Sequence, residues 1–377
     1  MSESGKLYQS IGGAPGCYAL AKTFYAHVER EPVLRPFFPS TFTCAIEEFS
    51  AFLVQFLSGE TEHSQRRWWL SLQESHKRFA LGQAEREAWL RAMAATLGDD
   101  KIVPDAAVRA ELLRFFTHSS SHVVNKEPVP ASAIKLEGEL SRLWQEQTLL
   151  DEAVALIRVK DASGRCLALL TGPVLQARFA RAPSVHAGVL ALAARSSEAL
   201  RAYTFDQLAL HPSLARERYN NWRTLLHDAA GTGDITLVER LLDMGAGDTS
   251  GADRDRSPLY CVANECGAPT AAAVVRALLQ RGSTDVNAIH GVKRCTALHM
   301  AARRGNTGII AALLDGGADI EARDSVGETP LRRAVNCNKV KAAELLLARG
   351  ADRRSKGSRG LTPVLAARSG EMKAVFA

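Results

Sequence analysis

Ser75-His76-Lys77-Arg78-Phe79-Ala80-Leu81-Gly82-Gln83-Ala84-Glu85-Arg86-Glu87-Ala88-Trp89-Leu90 decides the fold of the first third of this 377-residue chain. An imidazole at 76 is followed thirteen positions later by an indole. From Ala84 to Leu97, Trp89, Met93 and Leu97 recur at every fourth position, the spacing that lines one face of a helix. Taken alone, His76 beside Lys77 and Arg78 reads as a surface histidine. The segments on either side change that reading.

Upstream, Tyr18, Ala21, Tyr25 and Val28 form one apolar stripe, closed at Glu31-Pro32 because the residue before proline avoids the α region. Ala45, Phe49, Phe52, Leu53, Phe56 and Leu57 form a second, stopped at Ser58-Gly59. Downstream, Val108, Leu112, Phe115, Phe116 and Val123 make the last stripe, and Asn125 to Pro130 is a boundary. These helices define a first domain, residues 1–128. In residues 129–217, Ala131 to Leu156, Leu175 to Arg181 and His186 to Ala202 read as helices. Ile157-Arg158-Val159 and Cys166-Leu167 read as short strands around an Asp161-Ala162-Ser163-Gly164 turn. No chemistry is visible in this segment, which is expected to be a helical linker or a set of degenerate capping repeats.

Residues 218–377 repeat. Thr224-Leu225-Leu226-His227, Ser257-Pro258-Leu259-Tyr260, Thr296-Ala297-Leu298-His299, Thr329-Pro330-Leu331-Arg332 and Thr362-Pro363-Val364-Leu365 recur at offsets of 33, 39, 33 and 33 residues. A hydroxyl to cap a helix, and often a proline for its first turn, opens each copy. Paired leucines and a glycine break close the first four. This 33-residue pattern resembles the ankyrin repeat, in about five copies with the last incomplete. Stacking is then obligatory, because no single repeat buries its own apolar face. His227 and His299 are expected to hydrogen-bond backbone between repeats.

The first domain resembles a truncated, two-over-two haemoglobin of group II type. The resemblance rests on Ile11-Gly12-Gly13, Thr23-Phe24-Tyr25, Pro32 to Pro39, Phe52-Leu53-Val54-Gln55, the run from His76 to Met93, and Leu112-Leu113 through His122-Val123-Val124-Asn125. It implies an all-α fold and haem b, with His76 as the proximal iron ligand. Such a ligand is a neutral imidazole on a rigid element, its other nitrogen held by an acceptor that the sequence does not name. By the same resemblance Tyr25 and Trp89 supply hydrogen-bond donors to a bound ligand, and Phe38 packs on the porphyrin where some relatives carry a tyrosine. Ala45 occupies the usual distal-histidine position, with Phe49 one turn on. Lys77 and Arg78 either pair with haem propionates or form a solvated face. His63 reads as exposed. His118 and His122, spaced i, i+4, read as ordinary helix-surface residues.

Composition sets outer limits. A net charge of +6 and 23% charged residues are ordinary for a folded chain of this length. Seven cysteines without a CxxC read as reduced core residues, Cys261 and Cys266 included. The polar start, Met-Ser-Glu-Ser-Gly-Lys, reads as no signal peptide, and cytoplasm is the expected location. Arg303-Arg304, Arg332-Arg333, Arg353-Arg354 and Arg359 form either a solvated face or a basic groove for an acidic protein segment. Without interleaved aromatics they do not point to nucleic acid, and no run is long enough for a membrane span.

Two functions from different classes follow. One is reversible binding of O2 or another diatomic ligand such as NO or CO, with the repeats docking a protein partner. The other is a haem enzyme, a nitric oxide dioxygenase or peroxidase, fed by an external electron donor, since no flavin or nicotinamide fingerprint is present.

Overall fold

A computed structural model describes residues 6–58, 71–126, 134–160, 164–219, 223–247, 256–281, 284–357 and 360–377. The chain divides into two compact units, Met1–Leu210 with Tyr219–Asn221, and His211–Arg218 with Trp222–Ala377. The fold is all-α, and among the described residues the β-structure is confined to isolated bridge positions, at Tyr219, at Arg223 and in the pair His290 and Cys295.

The first unit opens with α1 (Lys6–Ser10) and α2 (Gly13–Val28), hinged where Gly12 and Gly13 take φ of 88° and 65°. Those left-handed values favour glycine. Gly16 is fixed for a different reason: a Cβ there would sit 1.6 Å from the Ile11 carbonyl oxygen. Then come α3 (Thr43–Ser58), α4 (Leu72–His76), α5 (Gln83–Leu97) and α6 (Ala106–Ser119). Helix α6 starts where the Asp105 carboxylate accepts from the Ala107 and Val108 amides, and ends in a 3-10 turn, Ser120–Val123.

The buried face of α2 is Cys17, Leu20, Ala21, Phe24 and Val28. Ala21 and Val28 are buried as expected, but Tyr18 is 48% exposed, and Tyr18 and Tyr25 line a cavity. The expected and observed faces both have helical spacing, so periodicity alone does not rank them.

Helix α7 (Gly138–Arg158) joins this same core. Leu140, Leu143 and Trp144 are buried in one cluster with Leu112, Phe115 and Phe116, and the Trp144 ring meets Phe115 edge-on at 5.8 Å. It is followed by α8 (Arg165–Thr171), α9 (Pro173–Arg181), α10 (Pro183–Ala193) and α11 (Glu198–Leu210). Residues up to Leu210, α7–α11 included, fall in the first unit, and His211–Arg218 falls in the second.

The expected strands are helical. Leu150, Val154 and Ile157 bury one face of α7 at helical spacing, and Cys166–Leu167 lies in α8. Short apolar runs carry too few periods to separate the two structures. The expected helix over His186–Ala202 breaks into α10 and α11, because Ser196 Oγ donates to the Ile157 carbonyl and Ser197 Oγ accepts from the Leu200 amide. The Asp161–Ser163 part of the predicted turn lies outside the described residues.

The second unit is a stack of helix pairs: α12 (Leu225–Thr232) with α13 (Ile235–Asp243), α14 (Pro258–Glu265) with α15 (Ala271–Gln280), α16 (Ala297–Arg304) with α17 (Thr307–Asp315), α18 (Pro330–Asn336) with α19 (Val340–Ala348), and α20 (Pro363–Ala366) with α21 (Gly370–Ala374). Ser257, Thr296, Thr329 and Thr362 hydroxyls accept amide hydrogens three residues on, as capping requires. Gly245, Gly317 and Gly350 are left-handed after their helices; Gly282 lies outside the described residues. Cap-to-cap distances show where the long copy differs. Thr224 to Asp234 and Thr296 to Asn306 span ten positions, Ser257 to Thr270 thirteen, so half of the six extra residues separate α14 from α15.

Candidate functional site

The site is built around the C-terminal turn of α4. The His76 Nδ1 atom lies 2.8 Å from the Leu72 carbonyl oxygen, which Ser75 Oγ shares at 2.6 Å, and Ser75 Oγ is itself 2.8 Å from Nδ1. A carbonyl only accepts, so Nδ1 carries the hydrogen and the neutral ring keeps its lone pair on Nε2. Burial pushes the His76 pKa down, opposed by the Leu72 hydrogen bond and by nearby Asp151. The ring is thereby held neutral. The chain leaving His76 is clamped from the far end of the domain: the Asn125 side-chain amide donates to the carbonyls of Phe79 and His76 and accepts from the Leu81 amide. The Glu85 carboxylate then caps α5 at the Gly82 amide and pairs with Lys126.

His76 lines a cavity of about 1150 Å³. Tyr25, Phe38, Ala45, Phe49, Arg78 and Trp89 line it too, so α2, α3, α4, α5 and the corner after α2 bring all but one of the predicted residues to one space. The exception is Lys77, which is exposed and does not reach it. Arg78 lies over the Phe79 ring at 4.6 Å. The aromatic wall is braced edge to face: Tyr25 meets Phe38 at 5.4 Å and Phe49 at 6.3 Å, and Trp89 meets Phe49 at 6.4 Å. Burial, with Glu48 nearby, raises the Tyr25 pKa, so its phenol stays a neutral O–H donor.

A cavity this large with aromatic walls takes a flat apolar group, and one neutral imidazole with an uncommitted Nε2 suits a metal centre carried by that group. The donor set fits haem.

Several predicted roles change. His118 and His122 are not ordinary surface residues. His118 Nδ1 donates to the Ile134 carbonyl, and His122 Nε2 lies 2.9 Å from the Asp151 carboxylate, with both rings edge-on to Trp144. Their partners come from beyond the first domain, so i, i+4 spacing on one helix does not reveal them. Cys44 and Cys337 are exposed rather than in the core. Arg332 is buried and donates to the Thr362 carbonyl, Arg333 pairs with the fully buried Asp324, and Arg353 donates to the Phe376 carbonyl. These three make contacts within the array, Arg353 while exposed, and Arg303, Arg304 and Arg354 are exposed as well. His299 Nε2 donates to the Glu328 carbonyl at 3.0 Å, and His227 bonds the Arg256 backbone, both between repeats as expected. His63 and Arg359 lie outside the described residues.

The sequence reading missed the Leu72 carbonyl, Asp151 and the Asn125 clamp. Only Asn125 carried a signal, standing last in the domain's final motif.

A bacterial-like globin family model matches residues 6–125, and a model of ankyrin repeats in three copies matches residues 271–357. Human ankyrin repeat and SOCS box protein 16 is 34% identical over 150 residues, 38% of this chain and 32% of that protein. The transient receptor potential cation channel subfamily A member 1 homolog of Caenorhabditis elegans is 34% identical over 130 residues, 34% of this chain and 10% of that protein. Human neurogenic locus notch homolog protein 1 is 32% identical over 156 residues, 41% of this chain and 6% of that protein. The chain thus spans a third or less of the length of these relatives. No described helix is long and apolar enough to cross a membrane. With the helices, the cavity and both family matches in register, the chain is a fusion of a bacterial-like globin domain with ankyrin repeats.

Proposed function

We propose that this chain is a haem protein that reversibly binds O2 or another diatomic ligand, with His76 as proximal ligand to the iron of haem b and the ankyrin repeats holding a protein partner. The globin family implies the haem. The observation that carries the reading is the His76 ring, with Nδ1 committed to the Leu72 carbonyl and the ring itself in the cavity wall. When bound, haem supplies the iron that takes the diatomic ligand.

The protein's own residues do the rest. Leu72 and Ser75 fix the imidazole tautomer, so Nε2 is ready without a proton to lose. Phe38 and Phe49 exclude water and supply the apolar walls. Tyr25 and Trp89 reach the same space from α2 and α5 with an O–H and an N–H, donors that favour a ligand carrying partial negative charge. Ala45, with no side chain beyond Cβ, leaves room beside Phe49. Arg78, in the cavity lining, is a cation for a haem propionate, and Lys77 is exposed beside it.

The test is the visible–Soret spectrum of the purified chain. Wild type takes up haem and shows a five- or six-coordinate histidine spectrum, and His76→Ala loses it. A wild-type chain that takes up no haem overturns the reading.

A further inference from the structure

Resting on the reading of His76 as iron ligand, we infer that Asp151, outside the globin domain on α7, is a positioning residue for His76. Helix α4 has five residues, too few to hold its own shape, and its first amide, Leu72 N–H, needs an acceptor from elsewhere. Asp151 Oδ1 provides it at 3.0 Å. The carbonyl of that same Leu72 orients the His76 ring, so one residue links the carboxylate to the imidazole.

Asp151 is itself fixed rather than merely near. It is 2% exposed, and its other contacts are His122 Nε2 on Oδ2 at 2.9 Å and Gln147 Nε2 on Oδ1 at 2.9 Å. Gln147 sits one helical turn earlier, and its Oε1 accepts from the buried Arg178 on α9 at 3.1 Å. A polar line thus runs from α9 through α7 to α4 and to the turn after α6. Buried polar groups are retained at such cost only when each is satisfied, and here each link satisfies the next. The segment that follows the globin domain therefore supports the proximal helix from behind, without itself lining the cavity.

The experiment uses the full haem-loaded chain and compares Asp151→Ala, Asp151→Asn and Val154→Ala. Val154 is buried on the same helix and outside the polar line, so its variant reports what loosening α7 does by itself. Two readouts are taken: the iron–histidine stretching band of the ferrous form by resonance Raman, and the rate of haem loss to an excess of a competing apoglobin. Asp151→Ala is expected to shift or broaden the band and to speed haem loss about 10- to 100-fold, the usual range for removing a group that orients a metal ligand. Asp151→Asn keeps a neutral acceptor for Leu72 and is expected to speed loss by about fivefold. Val154→Ala lowers the melting temperature and leaves the band in place. Equal effects of Asp151→Ala and Val154→Ala overturn the assignment. If Asp151→Ala does not fold, Asp151→Asn decides alone, and an unchanged band and loss rate overturn it. Failure of the His76 reading looks different: no iron–histidine band in wild type, or a band that persists in His76→Gly.

Discussion

Two buried histidines, one in each unit, separate a ligand site from a structural one. His299 in the repeats uses both nitrogens: Nδ1 accepts from the Thr296 amide at 3.2 Å, and Nε2 donates to the Glu328 carbonyl at 3.0 Å. His76 has the opposite tautomer, with Nδ1 donating to the Leu72 carbonyl. Each is built by a short local contact, three residues back for His299 and four for His76. The distinction lies in what meets the far nitrogen. In the repeats it is the carbonyl of the next copy, and in the globin it is the space walled by Tyr25 and Trp89. Burial lowers the pKa of both rings, so charge does not tell them apart.

The strongest attempt to break this contrast exchanges the outcomes. His76→Ala should abolish the Soret band, while His299→Ala should leave it intact and cost the array about 1–3 kcal/mol, the penalty for stranding buried hydrogen-bond partners. A Soret band that survives in His76→Ala erases the contrast.

Next in size is the repeat unit's own charged core. Removing the partner of a buried carboxylate costs about 3–5 kcal/mol. Arg333→Ala, which removes the cation from Oδ2 of the buried Asp324 and leaves Oδ1 on the Val326 and Glu328 amides, should therefore lower the array's denaturation midpoint with no change in the haem spectrum. A shift of under about 1 kcal/mol would mean that the Val326 and Glu328 amides satisfy the carboxylate without the arginine.

Acid probes the same unit. Burial lowers the His227 pKa from 6.5 to about 3. The unfolded chain then binds the extra proton between those values, so stability is full above about pH 6.5 and falls as pH drops toward 3. Each such histidine contributes a slope of up to about 1.4 kcal/mol per pH unit, and His227→Gln should flatten the urea-midpoint profile in that window.

On the globin side, Tyr25→Phe keeps the ring packing and deletes the O–H donor. Ligand dissociation followed by flash photolysis or stopped flow should accelerate about tenfold, the kinetic equivalent of one hydrogen bond. Mixing the ligand-loaded protein with nitric oxide in the same apparatus separates binding from enzymatic turnover. The smallest effect belongs to exposed Arg303 and Arg304: reversing both to Glu should change stability by less than about 0.5 kcal/mol and weaken capture of an acidic partner segment. Unchanged capture would leave them as solvated charge.

How much of this was legible depends on distance along the chain. The repeats were read from Thr224, Thr296 and Gly317 because caps and left-handed glycines act within a few residues, and the same short solution recurs. Tyr25, Trp89 and His76 were read from a pattern of residue types held in order, and the fold brings them to one cavity. By contrast, Tyr18 and the pairings of His118 and His122 were misread, because each is settled by what lies opposite in space. The same holds for Asp151, which meets Leu72 across 79 residues of chain.

The sequence by itself determined the helical stripes and the repeat period, since helical spacing and capping are local, and its resemblance to truncated haemoglobins pointed to the residues proposed to hold haem. Only the tertiary structure decided that Tyr18 leaves the buried face of α2, which arginines are spent on internal carboxylates, and that α7 packs with the globin core. Burial and hydrogen-bond satisfaction are properties of neighbours in space, and a buried carboxylate such as Asp151 has no meaning until the donor it must satisfy is in place.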